Sequence, residues 1–529
     1  MLNTTYGRRG MTVAPHSLAA ESALSILREK GNAIEAMIAA AATIAVVYPH
    51  KNGIGGDGFW LIHEPGRPPV GISACGRSAQ AIHASLYAGK PEIPFHGPES
   101  AITMAGTLSG WQEALALSQE LGGRIPLSRL LADACYYARE GIPVTAGQAL
   151  ATIRKAPEFE HQSGFTRYYL VKGKPPVTGS LFRQPELGMT LEHLVHSGLD
   201  DFYRGELAQS MATDLAAAGS PLRLADFNAC HASRVTPLML RHPAGQIYNM
   251  TAPTQGVVSL IILSLMEQLG GSGLLPESAD FIHLAVEATK QAFRIRDAYV
   301  GDPDAMTVPA QSLLHPDFLA PYAQAISMQK AGGWGSMTSD ADTVWMGVID
   351  GQGRAVSFIQ SNYHEFGSGV VLPSSGIIWQ NRGCSFSLNP RSVNFLKPGK
   401  LPFHTLNPPL VQFNDGRTLV YGTMGGDGQP QTQAAVFTRY ALFNLSLQQA
   451  VTLPRWLLGS TWGRNSDTLK LESRFDPAII AELKKRGHEV ETVGAFEESM
   501  GHAGAIVHHP SGIFEGAADP RSNGGVAGF

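Results

Sequence analysis

Cysteine is scarce in this chain: four in 529 residues, at positions 75, 135, 230 and 384, with no Cys-x-x-Cys pair and no histidine at metal-ligand spacing beside them. That argues against a disulfide framework and a zinc ribbon, and predicts reduced, mostly buried thiols. Charge is scarce too, at 16% of residues with a net of −4. No basic run stands out, so a nucleic-acid partner is not expected. No apolar run reaches about 18 residues, so no membrane span is expected. The first 14 residues lack the apolar core of a signal peptide, and His16 and Glu21 follow Arg8-Arg9 where a twin-arginine signal would turn apolar. The expectation is a cytoplasmic protein. With 44% hydrophobic residues, the chain has ample material for a large core.

Helical spacing of Leu18, Ala23, Leu24 and Leu27 predicts a first helix over 17–30, closed by Gly31. Asn32 is placed to cap a second, Ala-rich helix through Val47, which Pro49 ends. Then comes the glycine loop Lys51-Asn-Gly-Ile-Gly-Gly-Asp-Gly58, followed by a strand over 59–63. A dinucleotide loop joins a strand to the helix after it. The order here is helix, loop, strand, and no Gly-Lys-Ser/Thr ending is present. The loop instead reads as a tight crossing where backbone approaches another element. Segments 107–140, 186–217 and 281–299 read as helical. Residues 329–342 carry Gly332, Gly333, Gly335, Ser336, Thr338 and Ser339 and read as an exposed loop. After it the pattern turns to β: a strand over 343–350, a turn at Gly351-Gln-Gly353, and a return strand over 354–360. Shorter strands are expected near 370, 378, 410 and 419, with helices near 432–444 and 476–486.

The boundary at 342/343 carries the chemistry. A threonine opening a strand is ordinarily structural. Breaking the bond after Asp342, however, would give Thr343 a free α-amine beside its own hydroxyl, so one residue would supply both base and nucleophile. In the uncut chain the same hydroxyl can attack the Asp342 carbonyl and form an ester that water opens. An oxyanion partner is available at Gly425-Gly426, after a strand over 419–423, where adjacent glycines can turn backbone N–H groups into a cavity. Nucleophile, amine base and oxyanion hole complete a mechanism without cofactor or metal. His404, His502, His508 and His509 read as solvated surface histidines rather than ligands.

These residues, together with a chain-long set of motifs, resemble the γ-glutamyltranspeptidase family of N-terminal-nucleophile hydrolases. The motifs include Ala14-Pro-His16, Gly31-Asn-Ala33, Gly53-Ile-Gly-Gly-Asp-Gly58, Phe202-Tyr-Arg-Gly205, Arg296-Asp297, Asp302-Pro303, Phe366-Gly-Ser-Gly369, Asn381-Arg-Gly383 and Gly425-Gly426, with stretches 106–111, 253–256, 343–350 and 402–408. The resemblance implies an α/β (α+β) fold, a four-layer αββα sandwich of two stacked sheets between helices. It also implies autocleavage before Thr343. A large 1–342 subunit and a small 343–529 subunit would then stay associated as one intertwined unit, with a dimer of such heterodimers possible. Departures from the family pattern bear on substrate. Tyr363 stands for an asparagine, Arg382 for a glutamine and Ser385 for an aspartate. His404 and Thr405 replace two serines, and Ser361 replaces a second threonine. Arg77 lies near the family's carboxylate-binding arginine. Loss of an acidic partner and gain of Arg382 shift the expected ligand from a zwitterion to a plain carboxylate, and Trp345, Tyr363 and Trp379 can shrink the pocket. The expected substrate is a small carboxylate-amide. The alternatives are a γ-glutamyl hydrolase or transpeptidase, a cephalosporin-type acylase, and an uncleaved, inactive binding homologue.

Overall fold

Trp345 fixes how the two sheets meet. Its strand, Asp342–Asp350, is buried on both faces. Val344, Met346 and Val348 turn to a helical layer, while Trp345 and Ile349 turn to the opposing sheet. The indole lies where a Cβ on Gly422 would come within 2.3 Å of the ring and one on Gly504 within 2.7 Å. Only glycine at those two positions lets the facing strands approach so closely. In the computed structural model, which describes residues 3–334, 342–459 and 466–529, this contact joins two seven-stranded antiparallel sheets.

One sheet runs in the order Thr5–Gly7, Phe514–Ala518, Gly504–His508, Thr418–Gly422, Leu410–Phe413, Gly245–Asn249, Leu238–His242. The other runs Gly525–Gly528, Gly10–Ala14, Asp342–Asp350, Ala355–Tyr363, Asp57–His63, Val70–Ala74, Ser233–Val235. Helices Ser17–Arg28, Ala33–Val47 and Thr107–Glu120 cover the second sheet, and Gly256–Gln268, Ala279–Tyr299 and Gly428–Phe437 cover the first. The result is the αββα sandwich that the resemblance implied. Both sheets combine strands from before and after residue 342.

Several expected elements appear nearly as read. Asn32 caps Ala33–Val47 in a capping box with Glu35, and every residue of that helix is buried. The pairing near 370 and 378 reduces to one isolated bridge, Val371 to Ile378. The expected loop at 329–342 needs a correction at its end. Asp342 is the first residue of a buried strand, not the exposed end of a loop. Gly335, Ser336, Thr338 and Ser339 lie outside the described residues.

Candidate active site

Strands Asp342–Asp350 and Ala355–Tyr363 pair antiparallel, with a shift in register at one end. Asp342 faces Tyr363 and Val344 faces Gln360, so Thr343 alone stands opposite Ser361 and Asn362. Bulges of this kind re-aim side chains beside active sites. Here the Ser361 hydroxyl donates a short hydrogen bond to the Asp342 carbonyl oxygen, the carbonyl of the 342/343 peptide bond. The same hydroxyl oxygen accepts from Tyr363 N at 2.7 Å, which leaves its proton for the carbonyl. Tyr363 holds φ +82°, a strained value for a non-glycine residue. The glycine loop leads to this place as expected: a Cβ on Gly56 would sit 2.1 Å from the Ser361 carbonyl oxygen.

Asp342 and Thr343 are fully buried. The Asp342 carboxylate accepts from its neighbour's amide, Thr343 N to Oδ1 at 2.8 Å, and its Oδ2 pairs with Lys51 Nζ at 2.6 Å. Lys51 also pairs with Glu498 at 2.9 Å. Burial pushes the Asp342 carboxyl up to about 7, against the pull of Lys51. The Thr343 hydroxyl has no hydrogen-bond partner among the described residues. A hydroxyl, a carbonyl with a donor on its oxygen, and a carboxylate on the amide nitrogen are the parts needed for acyl transfer from nitrogen to oxygen.

From Tyr363 the site continues to Arg382. The guanidinium carbon lies 3.7 Å from the Tyr363 ring centroid, and Nη1 donates to Thr405 Oγ1 at 3.4 Å. The side chain is fully buried, yet Nε and Nη2 have no hydrogen-bond partner among the described residues. Burial pulls its pKa below the ordinary arginine value. Buried charge without a partner is costly, and two open donors of one planar fork match a carboxylate. Asp57, in the register position beside Ser361, accepts from Gly76 N and Gly106 N at 3.2 and 2.9 Å. Its Oδ2 lies 3.0 Å from His404 Nε2.

The Gly425-Gly426 pair follows strand Thr418–Gly422 and precedes helix Gly428–Phe437. Gly425 has φ +118° and Gly426 φ +50°, a conformation that glycine reaches without strain. One amide ties this loop to the arginine side of the site: Gln255 Nε2 donates to Gly426 O at 2.8 Å and to Thr405 O at 2.9 Å. Contacts therefore run from the 342/343 peptide bond through Ser361, Tyr363, Arg382, Thr405 and Gln255 to Gly426. Ser385 sits one turn from Arg382 and donates to its carbonyl at 2.9 Å.

Arg77 stands apart from this chain of contacts. It is half exposed, paired with Asp302 and Asp304 at 3.5 Å each and with Gly399 O at 3.0 Å. Two residues earlier, Cys75 is the member of that segment whose buried thiol feels the charges of Asp57 and Arg382. Trp345 and Trp379 fill core: the first lies between the sheets, and the second stacks on Phe202 and donates to Thr103 O at 3.0 Å. His404 and His502 are buried rather than solvated; His508 and His509 are partly exposed. The one group of metal-ligating side chains among the described residues, His283, Glu287 and His488, lies in a different part of the molecule. Its atoms are engaged with one another and with Ser327 O, Lys290 and Gly332 N.

Lys51, Asp57 and Glu498 had no role assigned from sequence. A usable signal existed for two of them. Lys51 and Asp57 are the only charged residues across 36–63, a stretch otherwise fit for burial.

Burial pulls His16, His404 and His502 down to about 4, with Arg382 adding to the effect on His404 and Asp57 opposing it. Their folded values lie below the ordinary 6.5, so protonation favours the unfolded chain. The stabilisation is complete above about pH 6.5 and is lost as pH falls towards 4. Each histidine costs about 1.4 kcal/mol per pH unit in that window. The melting temperature is expected to fall steadily from pH 7 to 4; a flat profile would contradict this account of the core.

Comparison with known proteins gives the family. The gamma-glutamyltranspeptidase family model matches residues 19–529. The oxamate amidohydrolase proenzyme of Klebsiella pneumoniae is 56% identical, with 100% of both chains covered. The glutathione hydrolase-like YwrD proenzyme of Bacillus subtilis is 37% identical, again with 100% of both covered. Among solved structures, cephalosporin acylase from Bacillus halodurans superposes with a TM-score of 0.91 at 32% identity, covering 100% of this chain and 97% of that one. Sequence and fold thus agree over the full length, and the chain belongs to the γ-glutamyltranspeptidase family of amide-cleaving hydrolases.

Proposed function

We propose that the chain cleaves itself between Asp342 and Thr343, and that the freed N-terminal Thr343 then hydrolyses a small carboxylate-amide, with oxamate the substrate of choice. The observation that carries the substrate class is Arg382, a buried guanidinium with two donors open. Oxamate is a carboxylate joined directly to an amide carbonyl. Its carboxylate takes the Arg382 fork, with Thr405 beside it and the Tyr363 ring beneath. The Thr343 amine removes the proton from the Thr343 hydroxyl, whose oxygen attacks the amide carbon. Backbone N–H groups of Gly425 and Gly426 receive the oxyanion. Collapse expels ammonia and leaves an oxalyl ester on Thr343, which water hydrolyses to oxalate. His404, neutral above about pH 4, adds no second positive charge to the pocket.

The kinship with the Klebsiella oxamate amidohydrolase proenzyme supports this substrate, and a place in purine degradation goes with it. The processed fragments 1–342 and 343–529 stay together because each sheet is built from strands of both. A cytoplasmic dimer of heterodimers completes the reading; no described helix is long and apolar enough to cross a membrane. The second reading, cleavage of γ-glutamyl or cephalosporin acyl groups, draws on the other two relatives. Ammonia release from oxamate, measured beside product release from a γ-glutamyl anilide, decides between them. Cleaved protein with no oxamate turnover would overturn the preferred substrate.

Ser361→Ala is expected to slow self-cleavage by about 10²- to 10³-fold, the usual cost of removing one donor from a developing oxyanion. The rate at which full-length chain disappears on a denaturing gel checks this.

A further inference from the structure

Self-cleavage needs a base, and in the uncut chain the α-nitrogen of Thr343 is an amide that cannot serve. The proton leaving the Thr343 hydroxyl must end on that nitrogen when the C–N bond breaks. One group already sits on the nitrogen: Asp342 Oδ1, 2.8 Å from Thr343 N. The other oxygen of the same carboxylate is held by Lys51 Nζ at 2.6 Å. Both side chains are fully buried, where an unpaired carboxylate would take up a proton and lose its basicity.

We propose that the Asp342 carboxylate is the proton shuttle of self-cleavage, and that Lys51 is a positioning residue that keeps it ionised and aimed. This rests on the reading that the chain cuts itself at 342/343. The Thr343 Oγ–H proton passes to Asp342 while Oγ1 bonds to the Asp342 carbonyl carbon. The carbonyl π pair moves onto the oxygen held by Ser361. When that pair returns, the C–N bond breaks, and the nitrogen takes the proton back from Asp342 to become an amine. Water then hydrolyses the ester, restoring the Thr343 hydroxyl and leaving Asp342 with a new terminal carboxylate. Net, one water is consumed and one peptide bond is lost.

The surroundings fit this assignment. Glu498 and Glu365 face the pair, with the Tyr48 phenol beside Lys51 and His50 and His502 around Glu498. Glu365 is paired with Arg154 at 2.9 Å. Burial keeps the Tyr48 phenol protonated and both histidines neutral, His502 at about 4. Burial opposes ionisation of Glu498, but the Lys51 ammonium beside it brings it down to about 2. The Asp342 carboxyl, pushed up to about 7, therefore exchanges protons readily near neutrality, which suits a base that must also return what it takes.

The test follows freshly translated full-length precursor from pH 6 to 9 on denaturing gels, for wild type, Lys51→Met, Asp342→Asn and the double variant. Wild-type cleavage is expected to speed up as pH rises through about 7. Lys51→Met raises the carboxyl further, so its rate at pH 7 falls at least about tenfold and its rising limb moves to higher pH. Asp342→Asn loses about 10²-fold or more and has no limb. Adding Lys51→Met to Asp342→Asn changes nothing further, because Lys51 acts only through the carboxylate. A Lys51→Met profile that superimposes on wild type, or Asp342→Asn cleaving at the wild-type rate, overturns the proposal. So does a further loss in the double variant, which would assign Lys51 a purely structural role. If Lys51→Met fails to fold, the comparison of Asp342→Asn with the double variant and with wild type still decides. A cut at another bond, or continued cleavage of Thr343→Ala, would instead remove the self-cleavage reading beneath it.

Discussion

Thr343→Ala is expected to leave a single full-length band of 56.5 kDa and to lower amide turnover by on the order of 10⁴-fold or more. One hydroxyl serves both reactions. Without it no ester forms at the Asp342 carbonyl, and no acyl-enzyme forms with substrate. The fold has little to lose: the hydroxyl is buried without a partner among the described residues, so its removal strands no donor or acceptor. The variant should therefore melt no lower than uncut wild-type precursor. That separates chemistry from misfolding, since an unprocessed chain that also melts early would explain nothing. Thr343→Ser keeps the hydroxyl and is expected to yield both fragments, more slowly.

Arg382→Leu is expected to do the opposite. Both fragments appear, because the Asp342 carbonyl is held by Ser361 and its carboxylate by Lys51, but kcat/KM for a carboxylate-amide collapses. Truncating one partner of a buried, hydrogen-bonded charge pair costs about 2–5 kcal/mol, which is roughly 30- to several-thousand-fold at about 1.4 kcal/mol per tenfold. Arg382→Lys recovers little, since an ammonium lacks the planar fork. The unliganded variant is expected to melt higher than wild type, because a buried guanidinium with open Nε and Nη2 is replaced by an apolar side chain. Added oxalate should raise the melting temperature of wild type and leave Arg382→Leu unchanged. A variant that keeps its kcat/KM would remove Arg382 from substrate binding and, with it, the argument for a small carboxylate substrate.

Local features were legible in the sequence because their causes are local. The Asn32 cap, the helix it starts and the hairpin turning at 351–353 depend on neighbours within a few residues. The αββα arrangement was legible only through the chain-long family motifs, since strands from both sides of residue 342 interleave in each sheet. Burial of the 342/343 bond was not legible. A glycine- and serine-rich run ahead of Asp342 reads as solvent-exposed, whereas the strand that starts there pairs with residues 355–363 and is covered from both sides. Lys51 was visible as a charge in an apolar neighbourhood, but its partner lies 291 positions away. His404 shows the same limit. Nothing near it in sequence signals burial, and its contacts with Asp57 and Phe59 come from the other end of the chain. Ser361, Tyr363, Arg382 and Thr405 lie in one run of contacts, although they are far apart in sequence. Arg77 does not join them, because it turns towards Asp302 and Asp304.

Where the chain is cut comes first. The intact mass and N-terminal residue of the smaller fragment, taken from purified protein, test it most directly. The expected smaller fragment begins at Thr343, with its complement ending at Asp342. A smaller fragment beginning at any other residue, or an active chain that remains full length, would contradict it.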